Sequence, residues 1–167
     1  HILENIIMSK RVKTLMTVNI LTLTSCFDKT VPESSCFIAG TQIKTEHGSK
    51  SIEAIVVGDR IWSWNTALSK PVLRLVKAVI EGEGTQTKQI QTSKNTIQGV
   101  TPAHPFYNPQ TQQWVEAKHL QKGDSILLWN EGQDAVVEKI IGIQKLTHSI
   151  PVKVYTLTVE GPEHNYF

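Results

Sequence analysis

Between Cys36 and Phe167 no stretch keeps a 3.6-residue apolar period for three turns, whereas short runs alternate apolar and polar residues at every second position. A helix buries one face through apolar residues three and four apart, and a half-buried strand does so through residues two apart. Thr41–Thr45, Ile61–Asn65, Lys88–Thr92 and Val152–Val159 follow the strand period and are rich in β-branched and aromatic side chains. Turn-forming residues punctuate them, as at Glu46-His47-Gly48. Ser51–Val56 and Val115–Leu120 leave room for one helical turn each. The pattern predicts a predominantly β domain.

That domain repeats itself. Glu53-Ala54, Gly58-Asp59 and Trp64-Asn65 recur in the same order as Glu116-Ala117, Gly123-Asp124 and Trp129-Asn130. Pro102-Ala103-His104-Pro105-Phe106 is echoed by Pro162-Glu163-His164-Asn165-Tyr166-Phe167. Two copies are too few for a solenoid and imply two β lobes about an approximate two-fold. In each Gly-Asp the glycine suits a positive φ and the aspartate accepts backbone N–H bonds, so Asp59 and Asp124 read as architecture. The four tryptophans are expected in the core.

The 167 residues, 40% of them hydrophobic, suffice for one domain with a proper core. Two cysteines allow neither a disulfide framework nor a four-cysteine zinc site. Lys10, Arg11 and Lys13 against Glu4 account for the whole formal charge of +2, so the body is neutral. A neutral body without a Lys/Arg cluster argues against nucleic-acid binding. The charged start has its own logic. From Met8 a basic stretch precedes the apolar Thr14–Leu23, the order of a secretory signal and too short to span a bilayer. Leu23-Thr24-Ser25-Cys26 resembles a bacterial lipobox, in which the cysteine becomes a lipidated mature N-terminus. Residues 1–26 are therefore expected to be a leader, 27–35 a tether, and 36–167 the folded domain of an exported bacterial protein, held to a membrane through Cys26 or released from it.

Cys36 opens the domain, where a half-exposed thiol can attack the carbonyl of Ser35 through a five-membered ring and convert the peptide bond into a thioester. Such a shift needs an activated thiol, a donor to the oxyanion and an acid for the departing amine. Thr101-Pro102-Ala103-His104-Pro105-Phe106 offers two converging polar side chains on a proline-braced loop. Histidine suits the acid because its pKa lies near neutrality.

These segments together resemble the Hint (hedgehog/intein) family of self-processing domains. Cys36-Phe37 through Gly40-Thr41-Gln42-Ile43, with Gly48, Ile52-Glu53 and Gly58-Asp59, resembles its first block. Thr101–Phe106 resembles its Thr-x-x-His block, and Val154–Glu160 with His164-Asn165-Tyr166-Phe167 resembles the block that precedes the C-terminal splice junction. The resemblance implies an all-β, horseshoe-shaped, pseudo-two-fold fold. It implies cofactor-free autocatalysis on the chain's own backbone, cleaving Ser35–Cys36 with Cys36 as nucleophile. His104 would then protonate the scissile amine, Thr101 would bond around the scissile peptide, and His164 would assist the C-terminal step.

Other readings stay open. Cys36 also suits a structural thiol or a disulfide with Cys26, which lipidation would forbid. Cys36, His104 and His164 have the ligand types of a metal site, although the resemblance lends that no support. His47, His119 and His148 read as surface residues. The asparagine that ends an intein is absent, because Asn165 lies inside a strand motif, and the chain as given cannot splice. It is expected to be cut short before that junction, with room for a fused C-terminal domain such as a toxin. The functional alternative is a non-catalytic surface binding or presenting module.

Overall fold

The computed structural model describes residues 35–130, 134–162 and 165–167. The expected leader, the lipobox cysteine Cys26, all of the tether except Ser35, and His164 lie outside the described residues. The described chain is built of strands: β1 (Phe37–Ile38), β2 (Gln42–Thr45), β3 (Gly48–Ser51), β4 (Arg60–Asn65), β5 (Lys70–Thr92), β6 (Thr96–Val100), β7 (Pro105–Asn108), β8 (Gln113–Glu116), β9 (Ser125–Trp129) and β10 (Ala135–Val159). A single 3-10 turn, Ile52–Ala54, occupies the first of the two expected helical turns. In the second, Gln113–Glu116 is strand β8 instead, because it pairs with β7 from Pro105↔Glu116 to Asn108↔Gln113.

Two strands organise the rest. β5 and β10, of 23 and 25 residues, run antiparallel from Ile140↔Thr92 to Val159↔Val76. Their register shifts at three points, including Thr147/Val152. Each shift bends the pair and interrupts its alternation, which is why the sequence shows only the Lys88–Thr92 and Val152–Val159 ends as strands. β4 pairs with one end of β5, and β9 pairs with the other end of β10.

The duplication is visible in the hydrogen bonds. Gly58 and Gly123 have φ of 97° and 99°. Gly58 N–H donates to the Val76 carbonyl and Gly123 N–H to that of Ile140, at 3.0 and 2.8 Å. Asp59 Oδ2 accepts from the Val56 N–H and Asp124 Oδ2 from the Gln121 N–H, at 3.0 and 2.8 Å. Both aspartates close the turn that starts a hairpin, as expected from the residue types.

Aliphatic side chains from both copies fill one core, with Ile43, Ile52, Ile61 and Val76 joined by Ile126, Ile140 and Leu157. Each contributes about 1.5–3 kcal/mol by leaving water. The tryptophans do not belong to it. Trp62, Trp64 and Trp129 are half-buried and Trp114 is exposed. Compact β-branched residues fill the space between the strands, and the indoles stand at the rim, where Trp62 stacks on Trp129 at 5.1 Å.

Candidate functional site

Strand register alone brings the first two site residues together. β1 lies between β6 and β10, with Phe37 opposite both Val100 and Tyr155. One step back along an antiparallel pair, Cys36 faces Thr101. The Thr101 N–H donates to the Cys36 carbonyl at 2.8 Å. The Cys36 N–H, which belongs to the Ser35–Cys36 peptide, donates to Thr101 Oγ1 at 2.8 Å, and that hydroxyl donates to the Cys36 carbonyl at 3.2 Å. Thr101, 7% exposed, thus fixes the orientation of the bond on its amine side.

Cys36 is not half-exposed. Its exposure is 0%, and it packs with Val154 against Ile38 and Val152. A residue that opens a domain is expected at the rim, but β1 is inserted into the middle of the sheet and carries Cys36 inside. The Cys36 sulfur is disulfide-bonded, with its partner outside the described residues.

His104 reaches the same place by a short turn. Its N–H donates to the Thr101 carbonyl at 3.1 Å, with Pro102 at the turn position that proline preorganises. The turn is clamped from the β8 side. Ala117 N–H donates to the His104 carbonyl and Lys118 N–H to the Pro102 carbonyl, both at 2.8 Å, while Lys88 Nζ donates to the Ala117 carbonyl at 3.0 Å.

The imidazole is 8% exposed and boxed by aromatic rings, with Phe37, Phe106 and Tyr166 centroids at 4.1, 5.1 and 6.4 Å. Burial pushes its pKa down to about 3, against a smaller opposing effect of a hydrogen bond to the Ser35 backbone. His104 is therefore neutral at physiological pH, not poised near neutrality as its residue type suggests. A contact that favours the charged ring is one in which the ring donates, and the backbone group able to accept is the Ser35 carbonyl. Nδ1 also lies 2.9 Å from Ser35 Oγ. Thr101 thus holds the amine side of the peptide, and His104 stands on the acyl side.

The site opens on a cavity of about 1630 Å³ lined by Ser35, His104, Trp64, Trp129, Asn165 and Tyr166 among others. Burial pushes the Tyr166 hydroxyl up to about 12, so it stays protonated there. Asn165 is structural, although residues 165–167 form no strand, contrary to the strand motif expected there. Its amide accepts from the Trp64 N–H at 2.7 Å and donates to the Trp64 carbonyl at 2.9 Å. Phe167 continues the stitch, with its N–H to the Trp62 carbonyl and its carbonyl to the Lys44 N–H.

The other histidines divide. His47 and His119 are exposed, whereas His148 is half-buried with Nε2 2.8 Å from the buried Thr87 hydroxyl. Among the described residues no three His, Cys, Asp or Glu side chains converge as on a metal ion. Sequence reasoning missed the aromatic box and the Ser35 hydroxyl. The signal for the box was the repeated His-x-aromatic pattern, His104-Pro105-Phe106 and His164-Asn165-Tyr166.

The fold matches solved inteins and an intein-like domain. The bacterial intein-like domain from Clostridium thermocellum superposes with a TM-score of 0.66 at 29% identity, covering 80% of this chain and 97% of that one. The DnaB intein from Synechocystis sp. PCC 6803 gives a TM-score of 0.68 at 22% identity, covering 80% and 92%. No curated protein sequence matches the chain. Residues 42–167 match the family described as the pretoxin Hint domain, a span that begins after Cys36 and contains Thr101, His104 and His164. The chain therefore has the all-β, horseshoe-shaped Hint fold expected from its sequence and belongs to the pretoxin Hint family.

Proposed function

We propose that the domain cuts its own chain before Cys36. The Hint-type fold supports an autoprocessing function in general; the reading of this bond rests on the division of the Ser35–Cys36 peptide between Thr101 and His104. The reduced Cys36 sulfur attacks the Ser35 carbonyl carbon, forming a C–S bond. The C–N bond to Cys36 then breaks, and the thiol proton ends on the freed amine. Held neutral with a pKa of about 3, the buried imidazole is a poor proton carrier at physiological pH; its part is to donate a hydrogen bond to the Ser35 carbonyl, where negative charge develops. Water or a second thiol then resolves the thioester.

Reduction must come first, because a disulfide sulfur cannot attack. The same observation favours the second reading, a non-catalytic surface module in which a buried, oxidised Cys36 is structural. Incubation with and without dithiothreitol separates the two. Processing yields a body starting at Cys36 under reducing conditions, absent in Cys36→Ala, whereas an intact reduced wild type leaves the module reading.

Export, lipid anchoring at Cys26, and a fused effector belong to the same proposal. Cleavage would leave residues 26–35 on the membrane and release the body with whatever is joined to it. Expression from Met8 followed by membrane fractionation tests this. Equal retention of wild type and Cys36→Ala on the membrane would defeat the release model.

A further inference from the structure

The sequence shows no run of basic residues in the body, yet the fold collects three lysines from distant positions at one place. A second cavity, of about 290 Å³, is lined by Gln86, Thr87, Lys88, Pro102, Lys118 and Lys145 and shares no lining residue with the cavity faced by His104. Register puts two of the lysines together. Lys88 of β5 and Lys145 of β10 are direct partners in the antiparallel pair, so their side chains leave the sheet on the same face. Like charges directly opposite each other are destabilising. Lys88 is half-buried, and burial together with the Lys145 charge pushes its pKa down. Lys118 follows β8, and its N–H holds the Pro102 carbonyl in the turn that carries His104. Among the described residues no carboxylate lines this cavity; Glu116, outside the lining, is 3.1 Å from Lys118 Nζ.

We infer that this cavity is a binding site for a phosphate group, held between Lys88, Lys145 and Lys118 behind the His104 turn. A concave site lined by charge of one sign concentrates a counter-ion. A dianion between two opposed lysines replaces their repulsion with attraction. Lysines present separate point charges, which suits a tetrahedral oxyanion approached from several sides, whereas a planar carboxylate is better matched by the arginine fork. The ligand would tie the long β5–β10 pair to the turn, because Lys88 Nζ also donates to the Ala117 carbonyl and the Ala117 N–H donates to that of His104. The inference does not depend on the processing reading above.

The test is thermal denaturation of the full-length chain under non-reducing conditions, in inorganic phosphate and in sodium chloride of equal ionic strength. At about 10 mM phosphate, roughly 100-fold above a Kd of about 0.1 mM, wild type should gain about 5–10 °C over chloride. Lys145→Gln and Lys118→Gln should each lose most of that gain, whereas a general salting effect of phosphate would persist in both. In chloride, Lys145→Gln should melt no lower than wild type, since it removes a like-charged neighbour; that separates a lost ligand from a damaged fold. Lys88 is left in place because it bonds the Ala117 carbonyl. Cosedimentation with vesicles containing phosphatidic acid distinguishes the source of the phosphate. Capture that Lys145→Gln loses assigns a lipid headgroup, and its absence beside a gain in solution assigns a soluble phosphate. No gain over chloride in wild type, or an equal gain in both variants, overturns the inference.

Discussion

His104 is where burial and chemistry meet most sharply. Its folded pKa of about 3 lies below the ordinary histidine value of 6.5, so the unfolded chain binds the proton that the folded chain refuses. The stability associated with this group is fully present above pH 6.5 and is lost as pH falls from there toward 3. At pH 5 the loss is about 2 kcal/mol, from roughly 1.5 pH units at 1.36 kcal/mol each. Urea denaturation at pH 7.5 and pH 5 should show that loss in wild type and a much smaller one in His104→Gln; equal losses would show that the acid sensitivity lies elsewhere. Thr101 makes a second prediction. Thr101→Val removes the acceptor of the buried Cys36 N–H and should cost about 1–3 kcal/mol, while Thr101→Ser retains most of the stability. That Thr101 meets Cys36 and that His104 meets Ser35 was approachable from sequence, because the residue types and the proline-braced spacing point to one chemistry. The burial of Cys36 and the depressed pKa of His104 were not, since both depend on β1 entering the sheet between β6 and β10 and on rings brought from Phe37 and Tyr166.

Strand insertion makes demands at the level of elements. β1 fits beside β6 because Gly99 carries no side chain: a Cβ there would lie 2.7 Å from Ile38 Cγ2 and 2.8 Å from its Cδ1. Gly99→Ala should cost about 1–3 kcal/mol by overpacking and should disturb the Phe37↔Val100 register on which Cys36 and Thr101 depend. Gly142→Ala is the matched control, since its methyl would meet nothing nearer than Gln91 Oε1 at 3.6 Å. Thermal denaturation of the pair distinguishes them, and equal shifts would mean that the Ile38 contact does not set the fit. The glycine-aspartate turns were readable from sequence because a positive φ and an accepting carboxylate are local requirements. β5 and β10 were readable only in pieces, because bulges at points such as Thr147/Val152 break the alternation that identifies a strand.

At the scale of the whole molecule, two copies of a hairpin share one core, and the long β5–β10 pair joins them. Between the copies lies the cavity faced by His104, Ser35 and the rim tryptophans. The two cysteines link this body to the proposed leader in mutually exclusive ways. Lipidation of Cys26 would occupy its sulfur as a thioether, so an intrachain disulfide with Cys36 and a lipid anchor cannot coexist on one molecule. Non-reducing and reducing intact masses of membrane-derived protein separate these forms: an anchored chain should carry the lipid mass and an alkylatable Cys36. The most direct test of self-processing is hydroxylamine trapping of the reduced full-length chain, read by mass spectrometry. The account predicts an N-terminal fragment ending in a Ser35 hydroxamate and a body beginning at Cys36, with neither formed from Cys36→Ala. A reduced wild-type chain that stays intact in hydroxylamine would contradict it.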